Sequence, residues 1–346
     1  MKHKKARGFL FVVGLLLGLS LIGFNPAVAA QKDTVELKFA SHIPPQAGNQ
    51  QVFVLWAKEL EERSKGRVKV TFYPAASLVK PQDTYPATVK GICDIAFQVL
   101  VNDASRFSLN SIVDIPLMGW QSEEVATRIR RELFMKFPAL QAEFKDVKVL
   151  WQVATSPRSM HFVDKVYRVP EELKGLKIIA SGVSAKALKD MGSSPIVLLP
   201  PDWYTSLERG IVKGACSGYT TIYNHKVHTL MPYHVDMNLA YLGQGAIMSK
   251  DAFNKLSPDI QKIIDDLEPW VTKKILESEH LEWAEAKAVM AKLGHTIVTL
   301  SPEELKKWYD GARPVQEVWI AENEAKGLPA KAIFEEAKKL IEKYSK

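Results

Sequence analysis

The chain has 346 residues, with 46 Lys and Arg against 39 Asp and Glu, for a formal net charge of +7. Four of the basic residues precede an apolar run from Phe9 to Phe24, so the remainder is nearly balanced in charge. This balance gives no basis for nucleic-acid binding. A length above 300 residues exceeds what a single hydrophobic core usually spans, which predicts two lobes.

The N-terminus has the three-part order of a secretory signal. The apolar run follows basic residues and meets the small-x-small site Ala27-Val28-Ala29. This run is shorter than the ~20 residues that a membrane-spanning helix needs. We therefore expect residues 1–30 to be a cleaved signal peptide and the mature protein to be periplasmic. An uncleaved anchor is the alternative.

Strand and helix patterns alternate along the rest of the chain. "VELKFASH" (35–42) predicts a strand, "QQVFVLWAKELEERSKG" a helix, and "RVKVTFYPA" (67–75) a second strand. This order indicates a parallel sheet with a right-handed crossover, hence an α/β fold. Further strands are expected at 93–100, 147–154, 176–181, 194–199 and 295–300.

Two segments, 83–97 and 202–219, resemble each other. Each runs from Asp-x-Tyr through a helical stretch to Val-Lys-Gly-x-Cys and a strand. The glycines of this motif, Gly91 and Gly214, are expected to allow a tight turn from helix to strand. Because the pattern occurs once in each half, it favours two lobes of similar plan.

A long helical pattern runs from Ser257 to Leu293, and Pro269 should kink or split it. A helix of this length exceeds one lobe and is suited to brace both. After the strand at 295–300, Ser301 and Glu304 have the spacing of a capping box at the start of another helix.

Catalytic signals are weak. The sequence lacks G-x-S-x-G, P-loop, H-E-x-x-H and G-x-G-x-x-G motifs. A rival hypothesis is an exported hydrolase or metal-dependent enzyme that uses Cys216 or the pair His225 and His228, but no complete catalytic set accompanies them. Cys93 and Cys216 are the only two cysteines, so a disulfide or two buried thiols are both open. We therefore expect that the protein is not an enzyme and that it binds neither a metal ion nor a cofactor.

Polar and aromatic side chains recur at the ends of the predicted strands, where open α/β sheets bind ligands. They are Ser41 and His42, Phe97 and Gln98, Ser156 and Arg158, Ser181, and Ser217 with Tyr219. An exported two-lobed chain with such groups predicts a binding protein that closes around a small molecule.

Several ordered motifs resemble the periplasmic solute-binding proteins of TRAP transporters, the DctP-type family. They are "LKFASH", "GRVKVTFYPAASL", "GICDIAF", "VDIPL", "VPEELKGLKI", "PPDWYTSLERGIVKG" and "AIMSKDAFNKLSPDIQKII". The resemblance implies a monomeric receptor, not an enzyme, that hands a small organic acid to membrane subunits of the transporter. It also implies a hinge of crossing strands, with the long helix spanning both lobes. Lobe I would be 31–155 plus 243–282, and lobe II 156–242 plus 283–346.

The family's usual site centres on an arginine directly after the "KGLKI" strand, which grips a carboxylate through paired hydrogen bonds. In this sequence Ile179 stands at that place, and neither Ile178 nor Ala180 offers a cation. The resemblance places Arg158 at a second arginine position, and His42 at a polar position of the first strand. The usual ligand therefore does not carry over.

Two interpretations of the ligand remain open. In the first, Arg158 holds a carboxylate or related anion, with hydrogen bonds from His42, Gln98 and Ser217. In the second, an uncharged apolar or aromatic solute lies against Ile179, Trp203, Tyr219 and Phe97. Trp203 is equally suited to packing between the lobes. We favour the first interpretation, because a buried arginine without an anion is costly.

Overall fold

The computed structural model of the protein describes residues 34–155 and 157–345, with the backbone alone at Pro201. The predicted signal peptide, residues 1–30, lies outside the described residues. Within them, none of the helices combines the length and the apolar character needed to cross a bilayer.

The described residues form eleven strands in two sheets. The first sheet has the order β2-β1-β3-β10-β4 and the second has the order β11-β9-β5-β8-β6-β7. Every strand predicted from the sequence is present. The strands are β1 (Val35–Ala40), β2 (Val68–Tyr73), β3 (Ile95–Val99), β4 (Val147–Ala154), β5 (Arg158–Phe162), β6 (Lys177–Ile179), β7 (Ser194–Ile196), β8 (Gly214–Gly218), β9 (Tyr233–Asp236), β10 (Gly243–Ser249) and β11 (Thr296–Thr299).

Helices pack around these sheets. They are α1 (Gly48–Arg63), α2 (Thr84–Val89), α3 (Glu123–Lys136), α4 (Pro138–Ala142), α5 (Gly182–Asp190), α6 (Trp203–Glu208), α7 (Tyr219–Asn224), α8 (Lys250–Asn254), α9 (Pro258–Asp266), α10 (Glu268–Lys292), α11 (Pro302–Glu324) and α12 (Ala330–Tyr344). Pro269 splits the long helical pattern as predicted, and it lies in the first turn of α10, where its missing N–H costs nothing. The predicted capping box is present at Ser301 and Glu304.

Both sheets are mixed rather than purely parallel. In the first sheet β10 runs antiparallel to β3 and β4, and in the second β5 runs antiparallel to β8 and β9. The expectation of a parallel sheet is therefore correct for β1 to β3, for β6 to β8, and for β9 with β11. The antiparallel strands, β5 and β10, are the two that follow a strand of the other sheet with no helix between.

The repeated segments do correspond in structure, but not in the register of their shared letters. After α2, Gly91 adopts a φ of 70°, and after α6 it is Gly210 that adopts a φ of 67°. The expectation that Gly214 makes the second turn is wrong. Gly214 lies within β8, where an added Cβ would approach the His161 carbonyl oxygen to 2.5 Å.

The long helix α10 contacts elements beside both sheets. It packs on α1 and β4 at the first sheet and on α7 at the second. The strands of the two sheets fall within the two predicted sets of segments, whereas the C-terminal helix α12 packs on α3, beside the first sheet. The division of the chain into lobes remains a prediction.

The two glycines of the second repeat should respond differently to alanine. Gly210→Ala forces a side chain into left-handed backbone and should cost about 1 kcal/mol. Gly214→Ala places a methyl group against a strand carbonyl and should cost about 3 kcal/mol. Urea unfolding of both variants measures the difference. Equal losses would contradict the assignment of the turn to Gly210 and of the strand to Gly214.

Candidate ligand-binding site

Besides the return through α8 to α10 into β11, two direct crossings carry the chain between the sheets, from β4 to β5 and from β9 to β10. They are bonded to each other, because the Thr155 N–H donates to the Leu242 carbonyl at 3.0 Å and the Arg158 N–H donates to the Ala240 carbonyl at 2.8 Å. Since β8 pairs with β5 at Arg158, the crossings bring the ends of β4 and β8 to the same region. Of the predicted ligand residues, Arg158 lies at this point, and Ser217 pairs with its neighbour Ser159.

Arg158, the first residue of β5, is only 6% exposed. Its Nη1 lies 3.1 Å from Asp114 Oδ1, and its Nη2 donates to the Ser181 hydroxyl at 3.0 Å. Asp114 also accepts from the Val183 N–H at 2.7 Å and from the Ser184 hydroxyl at 3.1 Å, both at the start of α5. One carboxylate thus joins the crossing to the first turn of α5.

This ion pair changes the interpretation of Arg158. Burial raises the pKa of Asp114 to about 6, and the charge of Arg158 opposes that shift. At neutral pH the carboxylate is ionised and balances the guanidinium within the protein. Arg158 was expected to bind a ligand anion because an unpaired buried cation is costly, and Asp114 removes this cost. Its role in ligand binding remains a prediction.

His42 and Phe97 lie together beside the first sheet, with ring centroids 5.3 Å apart. His42 Nδ1 is enclosed and has no hydrogen-bond partner. Burial, and secondarily the charge of His225, lower the pKa of His42 to about 4. The imidazole is therefore neutral at pH 7 and has a nitrogen available to a ligand, in keeping with its predicted role.

Three other predicted residues lie inside the second sheet's packing. Ile179, Trp203 and Tyr219 share one hydrophobic core, and each is less than 9% exposed. The Trp203 Nε1–H already donates to the Leu198 carbonyl at 2.9 Å. Phe97 belongs to a different core, beside the first sheet. The structure therefore does not assemble these four side chains into one apolar surface.

Gln98 and Ser217 use some of their polar groups internally. Gln98 Oε1 accepts from the Thr84 hydroxyl at 2.5 Å, and its Nε2 donates to the Val99 carbonyl at 3.0 Å. The Ser217 carbonyl accepts from His161 Nε2 at 3.0 Å. These bonds hold the ends of β3 and β8 in place.

Three imidazoles, two of them buried and that of His295 half-buried, extend from the Ser217 carbonyl in one hydrogen-bonded chain. His161 Nδ1 lies 2.8 Å from His234 Nδ1, and His234 Nε2 lies 3.0 Å from His295 Nδ1. A carbonyl only accepts, so His161 Nε2 carries the proton and its Nδ1 accepts from His234. His234 Nε2 then accepts from His295. Burial lowers the pKa of all three residues, so the chain is neutral.

Arg130 is a buried arginine that sequence reasoning missed. It is 2% exposed, and its Nη1 donates to the Val153 and Gln244 carbonyls, both at 2.7 Å. Burial alone lowers its pKa to about 9. The sequence did contain a signal for this burial. Arg130 follows Ala126 by four residues and precedes Leu133 by three, a spacing that puts it on the core-facing side of α3.

The rival enzyme hypothesis gains no support from its own residues. Cys93 and Cys216 are both free and buried, so they form no disulfide. Burial raises the pKa of the Cys216 thiol to about 11, which disfavours the nucleophilic thiolate. Within the described chain, neither His225 nor His228 belongs to a group of three side chains with metal-ligand spacing.

One such group does occur in the described part of the chain. The ligand atoms of Glu123, Glu124 and His280 all lie within 4.8 Å of one another. The two glutamates open α3, where acidic residues are favoured by the helix dipole alone. His280 is exposed. We assign no metal site to them.

The pairing of Asp114 with Arg158 can be tested by a double-mutant cycle. Asp114→Ala leaves a buried cation without a partner and should cost about 3–5 kcal/mol of unfolding free energy. Adding Arg158→Met should recover part of that loss. Asp266→Ala, which breaks an exposed pair with Lys262, is the matched control and should cost under about 1 kcal/mol. A double variant less stable than Asp114→Ala would contradict the pairing.

The imidazole chain predicts sensitivity to acid. The folded-state pKa of His161 is depressed to about 4, so its contribution is complete above pH 6.5 and is lost as the pH falls toward 4. Gln at position 161 can donate and accept in the same places without titrating. His161→Gln should therefore reduce the stability difference between pH 7 and pH 5 by up to about 2 kcal/mol. Parallel pH profiles would rule out this explanation.

Comparison with known proteins identifies the family. The family model "Bacterial extracellular solute-binding protein, family 7" (DctP) matches residues 39–323. A solute-binding protein of Albidiferax ferrireducens is 26% identical over 271 residues, which are 75% of this chain and 77% of the relative.

Solved structures agree with this match. A TRAP solute-binding protein from Rhodoferax ferrireducens T118, in complex with copurified benzoate, superposes with a TM-score of 0.83 at 25% identity, covering 90% of this chain and 99% of that one. A marine metagenome TRAP solute-binding protein specific for aromatic acid ligands, in complex with metahydroxyphenylacetate, gives 0.84 at 26% identity, covering 90% and 100%. The chain therefore belongs to family 7 of the bacterial extracellular solute-binding proteins, as its motifs predicted.

Proposed function

We propose that this protein is the periplasmic receptor of a TRAP transporter for a small organic acid with a single carboxylate, for which aromatic acids are the leading candidates. Its family consists of binding proteins rather than enzymes. Two of the solved relatives hold benzoate and metahydroxyphenylacetate. Delivery to membrane subunits, a monomeric state and the cleavable leader remain predictions from the sequence.

One observation carries the proposal for a monoanion. Two buried guanidinium groups lie near the crossings: that of Arg158 pairs with Asp114, whereas that of Arg130 has no carboxylate within 4.0 Å among the described residues. The cation of Arg130 is thus left without an ion-pair partner, and a buried charge of this kind is costly. One carboxylate from a ligand would balance it.

The uncharged-solute interpretation has less support. It needs Ile179, Trp203, Tyr219 and Phe97 on one accessible surface, and the first three are enclosed in the core of the second sheet. His42 also offers a polar nitrogen beside Phe97, which suits a ligand that has both a ring and a polar group.

The charge requirement can be tested with an isosteric pair of ligands. Benzoate at a hundred times its dissociation constant should stabilise the protein by ~2.7 kcal/mol in thermal unfolding. Benzamide, which has the same shape without the charge, should give no measurable shift, because it leaves the excess cation unbalanced. Equal stabilisation by the two compounds would contradict the proposal. It would also be contradicted if neither of them, nor any other monocarboxylic acid in a panel, stabilised the protein.

A further inference from the structure

We propose that Arg130 and Gln152, beside the first sheet, form the anchor for the ligand carboxylate. This inference rests on the proposed function, and it identifies the side chains that recognise the acid. None of the family motifs in the sequence points to either residue. Their assignment comes from buried polar atoms that have no partner in the protein.

Arg130 presents uncommitted donors. Within the described residues, every hydrogen bond that its guanidinium donates leaves from Nη1, and these bonds end on two main-chain carbonyls. Nε is enclosed and has no partner. Arg130 takes part in none of the ion pairs within 4.0 Å in the described chain, unlike Arg158. Its guanidinium therefore has the charge and the donors for an anion but lacks the anion.

Gln152 lies on the same side of the first sheet. It precedes Val153, whose carbonyl binds Arg130, and alternation along β4 puts its side chain on the face of Ala154. This face is covered by α3, because the Ala154 N–H donates to the Thr127 hydroxyl at 2.9 Å. Both Nε2 and Oε1 of Gln152 are enclosed without a partner. A wholly unsatisfied buried amide calls for a missing partner.

The register of the sheet brings a second amide close to the first. Gly245 of β10 pairs with Gln152 on one side and with Gln98 on the other, so the two glutamines lie in one row across the sheet. Gln98 is held by Thr84. Gln98 is thus a fixed polar group in the same row as the unsatisfied amide of Gln152. In the proposed site, Gln98 therefore keeps the ligand-binding role predicted for it.

The guanidinium lies where the strands end at the crossings. An added Cβ at Gly243, the first residue of β10, would come 3.3 Å from Arg130 Cζ and 2.6 Å from Leu100 Cδ1. Leu100 is therefore the side chain next to the guanidinium at this edge.

The chemistry of these groups suits a carboxylate. Arg130 Nε–H and Gln152 Nε2–H are donors for carboxylate oxygens. Gln152 Oε1 needs a donor, which a hydroxyl group of the ligand or a water molecule supplies. With the cation placed beside the first sheet, the receptor needs no arginine at position 179. The same donors would also bind an inorganic anion such as chloride. The test must therefore distinguish an organic carboxylate from an inorganic anion.

The experiment compares dissociation constants for benzoate, measured by calorimetry in a zwitterionic buffer free of chloride and sulfate. Arg130→Met should weaken binding at least a hundredfold, Gln152→Leu about tenfold, and Arg130→Lys by an intermediate factor. Arg63→Met, which breaks only an exposed pair with Glu59, is the matched control and should have no effect. Circular dichroism confirms that each variant is folded.

The outcomes separate the two proposals. If Arg130→Met and Gln152→Leu both bind benzoate within threefold of the unmodified protein, the anchor is elsewhere, while the organic-acid receptor stands. If the unmodified protein binds no acid, the proposed function itself fails. If Arg130→Met abolishes stabilisation by chloride yet leaves benzoate binding intact, the site belongs to an inorganic anion and the anchor is overturned. Competition between chloride and benzoate that disappears in Arg130→Met supports it.

Discussion

The buried carboxylate of Asp114 is the interaction on which the arrangement of the crossings depends. It pairs with Arg158 at the start of β5 and accepts from Val183 at the start of α5. Its neighbour Val113 accepts from the Tyr241 N–H at 3.1 Å, so the same segment is bonded to the second crossing. The segment Val113-Asp114 therefore ties both crossings to the start of α5. Because the pair is buried, its charges act at low dielectric and tolerate little displacement.

That arrangement leaves an asymmetry of charge between the two sheets. Beside the second sheet, Arg158 is balanced by Asp114, and Ile179 stands where the family has an arginine, packed with Trp203 in an apolar core. The unbalanced cation, Arg130, belongs to the first sheet. Under the proposal, the cation that receives the ligand lies beside the first sheet rather than at the family's usual position. A change of ligand within a conserved fold has this character, since the fold depends on the cores and the ligand on a few buried polar groups.

The sequence predicted those features that local chemistry decides. The break at Pro269 and the capping box at Ser301 follow from the residues themselves, and so do the apolar strands. Strands β5, β9 and β10 were not predicted, because their pairing comes from distant segments. Gly245, for example, has no strand preference of its own and lies in the middle of β10. The partner of Arg158 was not predicted either, since Asp114 is 44 positions away and nothing in its motif "VDIPL" indicates which residue it pairs with.

The excess buried positive charge is central to the proposed receptor, because it would receive the ligand carboxylate beside the first sheet. A crystal structure of the protein saturated with benzoate measures this directly. We predict a carboxylate oxygen within hydrogen-bonding distance of Arg130 Nε or Nη2, with the Asp114 and Arg158 pair intact. A carboxylate bound to Arg158 instead, or a benzoate that touches neither guanidinium, would contradict it.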